Sequence, residues 1–444
     1  MKRVLHIIFL IGLMASVKAQ PYGNEWIDYS KTYYKFKLGK TSLYRLPYST
    51  LVNAGISPSF LTGTSFKLFR NGQEIPLYVT TNGLFGSGDY IEFYGERNDG
   101  KTDTPLYKTP DEQGNPLKSL FSDTATFFLT IDPFSINARM QQQNNDISIV
   151  PEKEKYCYYT NYAYGIPSTK SFYSFRGMPV SSYFSDLYNS DFDKGEGWYL
   201  GSFDVNGFIG IYTHIQSQQD QGARLFFRDL YNSEEVNATV SITTAHGEGI
   251  HTIRTNINSL FDTIETFAGP ILKKQVYQVK NRFLSGAGNN GMSLRELTAN
   301  KGDYALYGSF EYPRTLSFEN QPSANFSIKK NNDVYLEIKN LNLSSTTPVL
   351  YDLNNRQRYI GIVDTVYKFY LNATALAKDN LFISAQDASS VPTISSISAI
   401  NFTNFANAGQ QGDYLIVTNK KLKTSTIGVD YIEQYRQYRS SAQG

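Results

Sequence analysis

The sequence predicts a mainly β fold: consecutive β-sandwich or jelly-roll-like domains, followed by the first βα unit of an α/β domain. Three observations predict it. Tyr (34) and Phe (29) are abundant among the 444 residues, and flat rings pack well on a pleated sheet. Short runs of patterned apolar residues recur about every ten positions between Asn-, Asp- and Gly-bearing turn signals. Towards the end of the chain this alternation gives way to a continuous apolar run and then a helical repeat.

Length and charge narrow the classes. A chain of 444 residues exceeds one ordinary domain. Lys+Arg 42 against Asp+Glu 40 leaves a net +2 with no basic block, so no nucleic-acid partner is expected. The opening "MKRVLHIIFLIGLMASVKAQ" has a positive start, a short apolar run and small residues before Gln20. It reads as a signal peptide over 1–19, cleaved after Ala19. No later run reaches the roughly 18 apolar residues of a membrane span. The expected location is therefore secreted or cell-surface, with no transmembrane segment beyond the signal peptide. The single cysteine, Cys157, allows no intrachain disulfide.

A first β domain is expected over 20–134, with strands at 33–38, 65–70, 75–80, 89–95 and 125–131. Ser49–Ala54 before Gly55 reads as a short helix with an N-cap and a terminating glycine. In "GDYIEFYGERNDGK" (88–101) the alternation places Ile91 and Phe93 on one face and Glu92 on the other, a solvent-side position. Asn98-Asp99-Gly100 has the chemistry of a tight turn. The carboxylates of this stretch lack the alternating spacing of a calcium loop and read as scaffolding.

A polar linker at 135–155 leads to a second β-sandwich domain over 156–312, with Trp198 as a core anchor. A third β segment, 313–400, places Val334, Leu336 and Ile338 on one face and pairs strands within 358–371. It closes with a polar Ser/Pro stretch at 386–398. After a linker at 401–411, "GDYLIVT" (412–418) reads as a strand buried on both faces. The spacing of Ile427, Tyr431, Tyr435 and Tyr438 predicts a helix. Strand then helix opens a βα unit over 412–444, and the chain is expected to be truncated there.

Catalytic chemistry is sparse. Cys157 lies in a strand-like aromatic run without a feature that would lower its pKa, and reads as a buried structural thiol. His246 and His251, with Glu248 between them, are spaced i, i+5 rather than the i, i+4 of a helical zinc pair. They read as a polar hairpin tip, and His214 as a strand residue. No catalytic, cofactor-binding or metal-ligating residue is assigned. No cofactor is expected; a structural calcium ion is allowed for, without a site.

The motifs "YYKFKLGKTSLYRLPYSTLVNAGI", "LFRNGQEIPLYV", "GDYIEFYGERNDGK", "GEGW", "EYPR" and "GDYLIVTNKKL", in that order, resemble the N-terminal portion of gingipain-type cysteine peptidases of Bacteroidetes. The resemblance implies a β-rich region preceding a caspase-like α/β peptidase domain. It also implies proteolysis by a Cys/His dyad beyond Gly444 and export by type IX secretion. Protein or peptide substrates and the secretion machinery are the implied partners. The type IX secretion sortase is a related branch ranked second. The rival class is a non-enzymatic β-modular surface or adhesion protein.

Overall fold

The computed structural model describes residues 23–107, 109–164, 227–233, 236–284, 292–298, 302–344, 346–423 and 425–442, with the backbone of strands 172–173, 197–198, 201–204 and 209–211. Two compact units result, one of 34–398 and one joining the residues up to 33 with those from 399 onward. The architecture is mainly β, in several open sheets.

The larger unit begins with a sandwich. Its elements are β1 (Tyr33–Leu38), β2 (Ser42–Pro47), α1 (Tyr48–Asn53), β3 (Phe66–Arg70), β4 (Gln73–Ile75), β5 (Tyr78–Val79), β6 (Tyr90–Gly95) and β7 (Ala125–Ile131). One sheet runs β1-β7-β3-β4 and the other β2-β6-β5. Alternate residues of each strand face inward, so Phe36, Leu46, Phe66, Leu68, Ile91, Phe93, Phe127 and Leu129 share one core. Phe36 and Phe127 stack at 5.5 Å. Helix α1 is capped at Pro47 rather than Ser49, without a side-chain bond, and stops before Gly55, which takes φ +82°.

Glu92 corrects the sequence reading. It is fully buried, because both faces of β6 are covered. Arg45 Nε donates to its Oε2 at 2.8 Å, and the Tyr351 hydroxyl donates to Oε1. Its neighbours do structural work of other kinds. Asp89 accepts from Thr80 and from the amide of Gly86. Asp99 caps a 3-10 turn at Gly100–Thr102 by accepting from Lys101 N.

The remaining strands run in chain order as β8 (Gln141–Gln142), β9 (Cys157–Tyr164), β10 (Phe172–Tyr173), β11 (Gly197–Trp198), β12 (Gly201–Asp204), β13 (Ile209–Ile211), β14 (Asn237–Ile257), β15 (Phe261–Lys280), β16 (Met292–Glu296) and β17 (Gly302–Arg314). They continue as β18 (Ser317–Gln321), β19 (Ser323–Ile328), β20 (Val334–Leu341), β21 (Val349–Asp352), β22 (Gln357–Ile360), β23 (Ile362–Val363), β24 (Tyr367–Leu371) and β25 (Lys378–Ser384). A large sheet follows the order β13-β16-β14-β17-β9-β19-β25-β21-β22-β8, with β12 beside β17 and β15 beside β14. The sheet β18-β20-β24-β23 shares a core with it that includes Cys157, Phe318, Val334, Leu336, Ile338, Tyr359, Phe369 and Leu381. The side chain of Trp198 and residue His214 lie outside the described residues.

Two stretches read as polar connections are packed instead. Within 135–155, Met140 is buried and β8 pairs in parallel with β22. Within 386–398, Val391, Ile394 and Ile397 are buried, and Ile394 N donates to the carbonyl of Arg45. Apolar residues interspersed among Ser and Pro supply enough burial to hold such segments down. Residues 227–230 form a turn that buries Phe227.

In the smaller unit, Trp26, Tyr33 and Phe402 meet edge to face at 5.2–5.6 Å. The strand expected at 412–418 does not form. Leu415 and Val417 are 84% and 87% exposed, because a two-sided strand needs ladder partners on both edges. Helix α2 (Tyr431–Arg439) forms later than Ile427, with Asp430 accepting from Glu433 N as its N-cap. Gly428 takes φ +81° in a turn closed by Val429 and Ser425, which prevents an earlier start.

Candidate metal centre

Strands β14 and β15 form a long antiparallel hairpin. Their pairing shifts at one place: His246 faces Ile271, and Gly249 faces Gly269. Residues 247 and 248 therefore stand opposite Pro270 alone, which is a β-bulge. Proline has no amide proton to give a ladder, so a bulge is where a sheet tolerates it. Gly249 takes φ +105°, which only glycine adopts without strain.

The bulge changes parity. In an unbroken strand, residues five apart point to opposite faces. With one residue taken up by the bulge, His246 and His251 fall on the same face, opposite Ile271 and Phe267 of β15. Both are fully buried in mid-strand, and the hairpin tip lies at 258–260 instead. The polar-tip reading is thus corrected. Its signal in the sequence was the pair of glycines flanking Glu248, whose side chain lies outside the described residues.

The other edge of β14 supplies the carboxylates. Strand β17 pairs with its first part and brings Asp303 directly opposite His246. Strand β16 pairs with its last part and ends at Glu296, opposite Ile253. The end of one strand and the start of the other therefore converge on the bulge. Asp303 and Glu296 are both fully enclosed. No sequence spacing links residues so far apart, so this convergence is visible only in the fold.

Distances within the cluster are short. Asp303 Oδ1 lies 3.1 Å from Nδ1 of His246 and 3.1 Å from Nδ1 of His251, yet it accepts no aligned hydrogen bond. His251 Nδ1 is also 3.1 Å from Glu296 Oε2 and 3.2 Å from Asp303 Oδ2. The Thr244 hydroxyl sits 2.7 Å from His246 Nε2 and donates to the carbonyl of Lys273. This contact holds the His246 ring at Nε2 and leaves Nδ1 facing Asp303. The ring of Phe267 closes the site, 4.6 Å from that of His246 and 5.9 Å from that of His251.

The two carboxyls are driven apart electrically. Burial opposes a charge on Glu296, but hydrogen bonds from Asp303 and from the amides of Thr298 and Thr252 outweigh it and bring its pKa to about 2. Burial, with the hydrogen bond to Glu296, raises Asp303 above its ordinary value despite its His246 neighbour. His246, His251 and Asp303 together offer two imidazole nitrogens and a carboxylate oxygen within 4.8 Å of one another. Nitrogen donors suit zinc-class ions and not calcium, which takes oxygen ligands.

Cys157 stands elsewhere, in the buried cluster that also holds Leu316, Phe318 and Ile328. Burial pushes its thiol up to about 12, the nearby Arg314 notwithstanding. A thiol of that pKa carries almost no thiolate at neutral pH and is no nucleophile. Among the described residues no helix is long and apolar enough to cross a membrane.

No protein-family model matches the chain, and no curated protein matches it. Similar solved structures include dimeric latent PorU from Porphyromonas gingivalis, at 11% identity and TM-score 0.47, covering 84% of this chain and 33% of that one. The carbohydrate-binding module CBM36 in complex with calcium and xylotriose is similar at 14% identity and TM-score 0.15, over 25% of this chain and 98% of that one. BuGH86wt in complex with neoagarooctaose is similar at 9% identity and TM-score 0.19, over 64% of this chain and 32% of that one. The chain spans about a third of the PorU length. At these scores none of the three says what this chain does, and its chemistry rests on its own residues.

Proposed function

We propose that this chain is the β-rich, non-catalytic region of an exported gingipain-like cysteine peptidase, and that it acts as a rigid brace. The observation that carries the non-catalytic reading is Cys157, the single cysteine of the sequence, fully buried with its thiol pushed up to about 12. The peptidase part of the reading rests on the ordered motifs. Several of their residues anchor the sheets: Arg45 and Glu92 pair in the core. Arg314 of "EYPR" binds Asp229 at 3.0 Å and stacks over Tyr159 and Phe318. Such multiply bonded charges rigidify a scaffold. Export, peptide substrates and the secretion machinery as partner belong to the same proposal.

A peptidase assay on the 444-residue chain with Arg- and Lys-containing peptides tests it, beside the same assay on the complete secreted protein. The expected result is no turnover by the chain, and thiol-dependent turnover by the complete protein that survives Cys157→Ser. Turnover by the chain that an alkylating reagent abolishes would overturn the reading. So would a complete protein without peptidase activity.

A further inference from the structure

We propose that His246, His251 and Asp303 bind one divalent transition-metal ion of the zinc class, with Glu296 beside them to complete the set. The ion would clamp the bulge of β14 to the start of β17 and the end of β16. The inference is independent of any peptidase assignment.

Geometry is the first support. Zinc bonds of 2.0–2.1 Å in a tetrahedron put neighbouring ligand atoms about 3.3 Å apart. Asp303 Oδ1 lies 3.1 Å from both histidine Nδ1 atoms, the spacing of atoms that share an ion. The contact is not an aligned hydrogen bond. A cation placed among the two histidine nitrogens and the Asp303 oxygen would meet all three, which lie within 4.8 Å of one another.

Support around the ligands is the second. A ligating histidine is normally oriented by a bond at its other ring nitrogen, and Thr244 makes that bond to His246 at 2.7 Å. Glu296 is fixed by the amides of Thr252 and Thr298 at 3.0 and 2.7 Å. Charge is the third support. Two buried carboxylates carry two negative charges when ionised, and a divalent ion neutralises both.

All four residues are fully enclosed, so no face is open to substrate. Structural zinc sites are closed to substrate in this way and have four protein donors; the fourth position here would fall to Glu296 Oε2, 3.1 Å from His251 Nδ1. The bulge would make the site and the ion would lock the bulge.

The experiment uses the full chain stripped of metal and titrated with Zn²⁺ alone. Metal content after desalting, the thermal midpoint, and the visible spectrum with Co²⁺ are read. The expected result is about one zinc per chain, a raised midpoint, and cobalt bands of a tetrahedral nitrogen–oxygen site. Asp303→Asn and His246→Gln should each lose the metal and the spectrum while keeping the circular dichroism of a β protein. Calcium at the same concentration should leave the midpoint unmoved. A wild-type chain that retains no zinc and shows no cobalt bands overturns the proposal and leaves a purely hydrogen-bonded cluster. Equal retention by folded variants overturns it as well, since the zinc would then lie elsewhere. The wild-type cobalt spectrum decides even where a variant fails to fold.

Discussion

Arg45 donates from Nε to Glu92 Oε2 at 2.8 Å across the β2–β6 ladder, with Glu92 fully enclosed. Arg358 stands 3.7 Å from the other carboxylate oxygen, and its guanidinium lies 4.0 Å over the ring of Tyr78. Removing one partner of such a group leaves the others buried without their counter-charge. Glu92→Ala is therefore expected to destabilise by about 3–5 kcal/mol, and Glu92→Gln by less. Urea unfolding of the variants measures this. A Glu92→Ala cost below about 1 kcal/mol, the size of a surface pair, would show that the cluster does not hold the sheets.

Gly249 offers a contrast between two glycines. Its φ of +105° is a conformation that side chains with a Cβ adopt at a cost of about 1–3 kcal/mol. Gly249→Ala is expected to lower the thermal midpoint and weaken zinc uptake, because the parity change at the bulge depends on it. At Gly88 an added Cβ would meet nothing within 4 Å, and φ is not positive. Gly88→Ala should be neutral or stabilise by about 0.4–1 kcal/mol through the unfolded chain. Equal midpoints for the two variants would refute the strained bulge.

Alkaline pH should destabilise the protein through its buried thiol and phenols, before its arginines discharge. Burial raises the thiol of Cys157 from 9.0 to about 12, and raises the hydroxyls of Tyr94, Tyr277, Tyr312 and Tyr359 above their ordinary 10.0. Each folded pKa exceeds the unfolded one. The stability these groups contribute is complete below about pH 9 and is lost as pH rises and the unfolded chain ionises first. The unfolding midpoint in urea is expected to fall steadily from about pH 9 to about pH 12. Tyrosinate absorbance of the native chain should lag behind that of the urea-unfolded chain throughout. Superimposed titration curves would contradict the burial of these rings.

The strands were legible and the sites were not, for a definable reason. Alternation in Ala125–Ile131 or Val334–Leu341 marks which residues share a face, and the inward residues of both strands are buried as that pattern requires. Alternation does not say whether the second face is covered. Glu92 was misplaced because β6 is packed on both sides. His246 and His251 were separated by a period that holds only in an unbroken strand. Gly247, Gly249 and Pro270 together carried the bulge signal, but its effect on parity needs the pairing register. Asp303 and Glu296 join the site through strand order, which no local spacing encodes. The run 412–418 failed in the opposite sense, since its apolar composition satisfies a strand pattern that has no neighbouring strands among the described residues.

That same run is where proteolysis is expected first. Tyr414, Leu415 and Val417 are exposed, as is Leu422, and the backbone there makes no sheet ladder among the described residues. Helix α2 beyond it has nine residues and buries none of them. Helices shorter than about 12–15 residues are marginal without packing. Its stabilising features include the Asp430 cap and a Glu433–Arg436 pair at 2.6 Å, an exposed pair that solvent screens. Protease access requires a segment to leave its structure locally, and segments with few buried apolar contacts do so at little cost. Brief digestion with trypsin or chymotrypsin should therefore cut between residues 411 and 423, releasing the C-terminal piece while 34–398 stays intact. Mass spectrometry of the early products checks this. First cuts within the β14–β15 hairpin instead would show that the long ladder is the weaker element.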